Sequence, residues 1–276
     1  MAIDPSKVGL EGKPVEREWN GRQCLLYALG VGAGLDELRF STNKNQQVLP
    51  TFAVIIGGGG VPLAEIGRFN PVMLVHGEQA IELLAPLPTD GRVQSRGRIA
   101  GIYDKGTGAV IETESESRNA ETGELLLRTR SQVFLRGEGG FGGERGPSGP
   151  KNVPPERAPD HQVTYATRED QALLYRLSGD FNPLHSDPDF AARAGFPKPI
   201  LHGLCTYGFT GRALLHTLCG SDPARFRSME GRFAKPVFPG QSLTIQMWVD
   251  GETAIFQTVN DEGDVVLSQG RCTFAS

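Results

Sequence analysis

The sequence contains no pair of neighbouring cysteines. Its four, Cys24, Cys205, Cys219 and Cys272, stand far apart and form no Cys-x-x-Cys unit, so neither a zinc site nor a dithiol redox motif is expected. No apolar run is long enough to cross a bilayer, and the opening Met-Ala-Ile-Asp-Pro-Ser-Lys has no apolar signal core. There is no excess of basic residues. Lys and Arg number 28 against 32 Asp and Glu, and the net charge of −4 argues against nucleic acid as a partner. The final Thr-Phe-Ala-Ser is not a peroxisomal tripeptide of the Ser-Lys-Leu kind. These absences predict a cytoplasmic protein with reduced thiols and no membrane partner. A glycine run, Gly57 to Gly60, follows an apolar stretch, yet no Gly-Lys-Ser/Thr comes after it. Pro62 also occupies the place where a Gly-x-Gly-x-x-Gly loop needs its last glycine, so the run is expected to be a turn and not a phosphate cradle.

The chain has 276 residues, 38% of them hydrophobic and 22% charged, as in a globular protein of one large or two ordinary domains. Trp19 to Leu29 reads as a short helix closed by Gly30, and Val48 to Ile56 as a strand or buried segment. From Met73 to Leu135 apolar and polar residues alternate in runs separated by turns, at Asp104 to Gly108 and Asn119 to Gly123. This is the pattern of an antiparallel meander with one buried face. Residues 137–159 are rich in Gly and Pro and read as an extended linker. They divide an N-terminal unit, 1–136, from a C-terminal unit, 160–276. After the linker come a short strand (Gln162 to Ala166) and a helix with Thr167 as its expected N-cap. Next are a loop, a long apolar helix (Gly203 to Leu218), and strands at 225–234, 242–249, 253–259 and 265–274.

The two units can be overlaid at a nearly constant offset: Tyr27-Ala28-Leu29-Gly30 meets Tyr175-Arg176-Leu177-Ser178, and Thr89-Asp90-Gly91 meets Phe238-Pro239-Gly240. Such self-similarity indicates a duplicated unit. The copies differ in two places. The second carries Gly-Asp-Phe-Asn-Pro-Leu-His where the first has Val-Gly-Ala-Gly, and the first has only the proline-broken stretch 57–71 where the second has its long helix. A vacated helix position leaves room for a long apolar ligand.

The loop from Ser178 to Gly203 holds the groups able to move a proton, Asp180, His185 and His202, with Asn182 between them, on a backbone turned by glycine and proline. Asp187 and Asp189 read as turn and N-cap residues of a short helix, His202 as a residue that packs or hydrogen-bonds beneath Gly203, and His216 as a residue of the long helix's C-terminal end.

The run Tyr175, Ser178, Gly179, Asp180, Asn182, Pro183, Leu184, His185, with Ala191 six residues on, resembles the signature of hydratase 2, the (R)-specific 2-enoyl-CoA hydratases of the MaoC-like family. The whole chain is similar to the family's double form, as in the hydratase unit of the peroxisomal multifunctional enzyme. The resemblance implies an α+β double hot-dog: two curved antiparallel sheets, each wrapping a helix, with the N-terminal helix short or degenerate. It implies reversible hydration of trans-2-enoyl-CoA to (3R)-3-hydroxyacyl-CoA in fatty acyl-CoA metabolism, with no cofactor and no metal, and usually a homodimer. It places catalysis on Asp180 and His185, with Asn182 holding the pair and the N–H of Gly203, at the start of the long helix, facing the thioester oxygen. It puts acyl-CoA contacts at His76, Gly77, Lys105, Phe181, Pro183, Leu184 and Phe233. Asp180, His185, Asp187 and His202 have the donor types of a metal site, but the implied hydration needs no metal. Two other readings stand beside this one: a hot-dog acyl-CoA thioesterase, and a non-catalytic acyl-CoA-binding subunit.

Overall fold

Period-two alternation builds most of this chain. In the strand Gly91–Asp104, Arg92, Gln94, Arg96 and Arg98 face solvent while Val93, Ser95, Gly97 and Ile99 are buried, as expected of a sheet with one covered face. The computed structural model describes residues 3–276. In chain order its strands are β1 (Val15–Trp19), β2 (Leu74–Leu83), β3 (Gly91–Asp104), β4 (Gly108–Asn119), β5 (Leu125–Arg136), β6 (His161–Ala166), β7 (Phe226–Phe233), β8 (Ser242–Asp250), β9 (Thr253–Val259) and β10 (Val265–Phe274). The helices are α1 (Gly21–Gly30), α2 (Leu38–Ser41), α3 (Ala53–Ile56), α4 (Gln171–Tyr175), α5 (Pro188–Arg193) and α6 (Gly203–Leu218).

The strands form one antiparallel sheet in the order β1-β3-β4-β5-β2-β7-β10-β9-β8-β6. Five strands from the first half and five from the second meet edge to edge where β2 pairs with β7, with Ala80 opposite Glu230. The double hot-dog is therefore a single ten-stranded sheet, and the join removes one exposed edge from each half. The helices pack against its buried face.

Helix α6 is buried along nearly its whole length, from Cys205 to Leu215 and at Leu218. A helix apolar on every side belongs inside a core. Phe209, Leu214 and Leu215 have 1% exposure or less, and each such side chain contributes about 1.5–3 kcal/mol. Two glycines set how closely the first half approaches it. A Cβ on Gly208 would lie 2.4 Å from Val31, and one on Gly211 2.3 Å from Thr51. Glycine inside a helix costs about 1 kcal/mol, a cost offset here by close packing of the first half onto α6.

The first half has no counterpart of α6. Between α3 and β2 it carries only short 3-10 turns, Leu63–Glu65 and Pro71–Met73. Its longest helix, α1, begins later than Trp19. That residue ends β1, and Asn20 closes a capping box with Gln23. Val48 to Ile56 forms no strand. Pro50 opens a 3-10 turn that runs into α3, and Val48, Leu49, Phe52, Ala53 and Ile56 are buried in the core. Thr167 is not an N-cap. Its hydroxyl donates to the Gln241 carbonyl at 2.7 Å and accepts from Gly240 N–H at 3.0 Å, pinning β6 to the turn before β8. Asp187 does cap α5, accepting from the N–H groups of Asp189 and Phe190.

The Gly/Pro-rich segment is fastened to the sheet along its course. The Asp104 carboxylate accepts the N–H groups of Gly140 and Gly142, Lys151 pairs with Glu78 at 2.8 Å, and Trp248 donates to the Arg157 carbonyl. One charged cluster is buried. Arg212 of α6 is 3% exposed and makes a bidentate pair with Glu37. It also donates to the Val31 carbonyl at 2.8 Å, while His216 donates to Glu37 at 2.8 Å. His216 thus ties α6 to the first half and is more than a helix-end residue.

Candidate active site

The loop after α4 is shaped by its own side chains. The Asp180 carboxylate accepts from Asn182 N–H at 3.1 Å, and the Asn182 side-chain oxygen accepts from Leu184 N–H at 3.0 Å, capping the 3-10 turn Pro183–His185. This double turn sends His185 inward to 9% exposure while Asp180 stays exposed at the mouth. Nδ1 of His185 lies 2.8 Å from the Ile200 carbonyl. A carbonyl only accepts, so Nδ1 carries the proton and Nε2 is the free base. Burial lowers the His185 pKa from 6.5, against the opposing pull of the Ile200 carbonyl and Asp180, so the ring is neutral at pH 7.

His202, expected to pack or hydrogen-bond beneath Gly203, stands inside this cluster. Its ring stacks on His185 with centroids 3.8 Å apart, and its Nε2 lies 3.2 Å from the Asp180 carbonyl. It is also the N-cap residue of α6, so Gly203 follows it at the first helical position, where the N–H has no acceptor within the helix. A Cβ on Gly203 would come within 3.1 Å of the Phe233 ring. The Phe233 ring in turn meets His76 edge-on, at 4.9 Å between centroids. His76 is turned inward by a bulge at Gly77, between the pairs His76 with Val133 and Glu78 with Gln132. Its Nε2 lies 3.0 Å from Ser131 Oγ and 3.1 Å from the Glu78 carbonyl. Burial lowers its pKa to about 4, with nearby Asp180 pulling the other way.

The structure thus gathers Asp180, His185, His202, Gly203, Phe233 and His76 from the loop after α4, from α6, β7 and β2, and so from both halves of the chain. Of the other expected contacts, Phe181, Pro183 and Leu184 flank the cluster on the same loop, and Lys105 lies in a separate turn. Lys105 sits in the β3–β4 turn with its ammonium on the carbonyls of Arg145 and Pro147. Phe181 is 58% exposed beneath the Arg176 guanidinium, Pro183 is exposed, and Leu184 is half-buried. A concavity of about 1050 Å³ lies on the solvent face of the sheet. It is lined by paired charges such as Arg98–Glu114 and Arg128–Glu82 and contains none of the loop residues. It lies apart from the loop that carries Asp180 and His185.

Among the described residues, Asp180, His185 and His202 offer ligand atoms within 4.8 Å of one another. The two imidazole planes are stacked, 27° apart, so their in-plane lone pairs run side by side and do not converge on one ion. The trio suits water and proton handling better than coordination. A neutral His185 beside an exposed carboxylate can draw a proton from a shared water, and a free N–H at the positive end of a sixteen-residue helix can stabilise an oxyanion. The pH dependence follows. A base whose pKa is depressed stays unprotonated as pH falls past 6.5, so kcat/KM is expected to decline only below that value. An acid-limb midpoint above 6.5 in a pH–rate profile would contradict this environment for His185.

The comparisons with known proteins cover both halves. The description "MaoC like domain" matches residues 151–270, and "MFE-2 hydratase 2 N-terminal domain" matches residues 18–137. A 3-hydroxyacyl-thioester dehydratase Y of Mycobacterium tuberculosis is 47% identical over the full length of both chains. The chain belongs to the MaoC-like hydratase 2 family. Another member, the peroxisomal enoyl-CoA hydratase 2 of Arabidopsis thaliana, is 43% identical over 91% of this chain and 88% of its own. The crystal structure of a MaoC-like dehydratase from Phytophthora capsici superposes with a TM-score of 0.90 at 33% identity, covering 99% of this chain and 98% of that one. In this MaoC-like chain, Ser131, whose hydroxyl lies against His76, is a neighbour of the cluster that sequence reasoning did not name. It is an ordinary strand serine, with no mark in the sequence.

Proposed function

We propose that this chain adds water reversibly across the double bond of a trans-2-enoyl-CoA, giving (3R)-3-hydroxyacyl-CoA, as a hydro-lyase of fatty acyl-CoA metabolism. The observation that supports it best is the convergence of Asp180 and a neutral His185 beside the free N–H of Gly203. Asp180 and His185 hold one water at the β-carbon and share its proton, the same pair returns a proton to the α-carbon, and Gly203 N–H receives the enolate oxygen. Asn182 keeps the loop in its working turn. His76 and Phe233 line the thioester's path, with Gly77 supplying the bulge that aims His76 inward. Phe181, Pro183 and Leu184 border the entrance, and Lys105 meets carrier phosphates after leaving its carbonyl partners. The units 1–136 and 160–276 act as substrate-binding and catalytic halves.

Among the described residues, no helix is long and apolar enough to cross a membrane. The compartment we propose is the cytoplasm, in line with four buried cysteines that form no disulfide. The working form is a homodimer, the state the family resemblance implies.

The test is the ultraviolet enoyl-thioester band of crotonyl-CoA and decenoyl-CoA with purified protein. Loss of the band without release of free thiol is the expected result. Free thiol would instead indicate a thioesterase, and binding without either change an acyl-CoA-binding subunit.

A further inference from the structure

His202 is 1% exposed, and three of its features bear on the reacting groups. Its Nε2 donates to the Asp180 carbonyl at 3.2 Å, its ring lies on that of His185 at 3.8 Å, and its own carbonyl accepts from Cys205 and Thr206 N–H to begin α6. Tyr175 covers the ring from another side at 4.9 Å. Its Nδ1 is buried and meets no partner among the described residues. Leaving a buried nitrogen unpaired is unfavourable, a cost that a phenylalanine or leucine filling the same space would not carry. A side chain that only fills space does not account for a histidine here.

We infer that His202 is a positioning residue for the hydration site, holding the Asp180 backbone through Nε2–H and the His185 ring through the stack. The inference rests on the hydratase reading for its kinetic arm alone. The charged groups that face the imidazole pair are Asp180 and Arg176, with the Tyr175 ring packed on His202 and His76 beyond Asp180. Burial first, and the neighbouring His185 second, lower the His202 pKa to about 4. The two rings therefore share the site uncharged at pH 7, with opposite tautomers: Nε2–H on His202 and Nδ1–H on His185. A protonated His202 would set a cation against the ring that must accept the water's proton.

The experiment has two arms. In the wild-type protein, nitrogen-15 correlation spectra of the histidine rings at pH 7 are expected to show His202 neutral with Nε2 protonated and His185 neutral with Nδ1 protonated. A protonated His202 Nδ1 would overturn the proposal without any reference to activity. In the second arm, His202→Phe keeps the ring stack and loses the donor, while His202→Gln places an amide N–H near the lost Nε2–H. His202→Phe is expected to lower kcat on the order of 100-fold, the scale of a displaced catalytic group, with KM little changed, and His202→Gln, which restores the donor but not the stack, to recover part of the loss. A His202→Phe variant with wild-type kcat, or equal losses in both variants with KM rising in step, would overturn it. Wild-type protein inactive on every enoyl thioester would defeat the hydratase reading instead, and the ring spectra would still decide whether His202 holds Asp180.

Discussion

Replacing His185 by Gln, or Asp180 by Asn, will lower kcat for hydration by about 100- to 10,000-fold, the usual worth of a positioned acid or base, while the substrate still binds. The expectation follows from geometry. His185 presents a bare Nε2 because Nδ1–H is committed to the Ile200 carbonyl, and Asp180 is held in its turn by Asn182 N–H. Neither change empties a core position, since Asp180 is exposed and Gln is close in size to His. The double variant will lose little more than the worse single one, because two groups acting on one water are not additive. Single-turnover kinetics with substrate dissociation constants measured in parallel separate the two effects. Loss of binding with turnover per bound substrate intact would move these residues from catalysis to recognition.

Replacing Arg212 by Met will destabilise the protein by about 3–5 kcal/mol, the penalty for stranding one member of a buried ion pair. Arg212 is 3% exposed on its side chain and Glu37 12%. Burial raises the Glu37 pKa, but the hydrogen bonds of His216 and Arg212 outweigh it and bring the pKa from 4.5 to about 2. A depressed carboxylate stabilises the fold above its unfolded pKa. The contribution, about 3 kcal/mol from the size of the shift, is therefore complete above pH 4.5 and fades as pH falls toward 2. Removing both partners, Arg212→Met with Glu37→Met, will cost less than Arg212→Met alone, because no charge is then left buried. Urea unfolding of the three variants near pH 7 checks the order. A double variant less stable than Arg212→Met would show that the pair contributes more than mutual neutralisation.

Most of the sheet was legible in the sequence because period-two alternation survives in strands with one wet face, as β3 and β9 show. Helix α6 was legible for the opposite reason, as a long and mostly apolar run between Gly203 and a polar turn. Tertiary contacts override local pattern in places. Of the two readings open for Val48 to Ile56, a strand or a buried segment, the second holds: Pro50 and burial in the core keep it in helical turns. Thr167 has the chemistry of a cap, yet its hydroxyl is occupied by the β8 turn. At the site, Asp180, Asn182 and His185 could be found because a tight local turn fixes their spacing. His202 was legible as a proton-moving group of the same loop, but no linear spacing reveals that its ring lies on His185. The Arg212–Glu37 pair spans 175 residues and is equally invisible to local reading.

The most direct measurement of the central claim is the configuration of the alcohol formed from crotonyl-CoA, read with a pair of dehydrogenases specific for the (R) and (S) 3-hydroxyacyl thioesters. A site in which Asp180 and His185 deliver water from one side, with Gly203 fixing the thioester oxygen, gives the (3R) product alone. A racemic or (3S) product, or release of CoA with the enoyl group unhydrated, would contradict it.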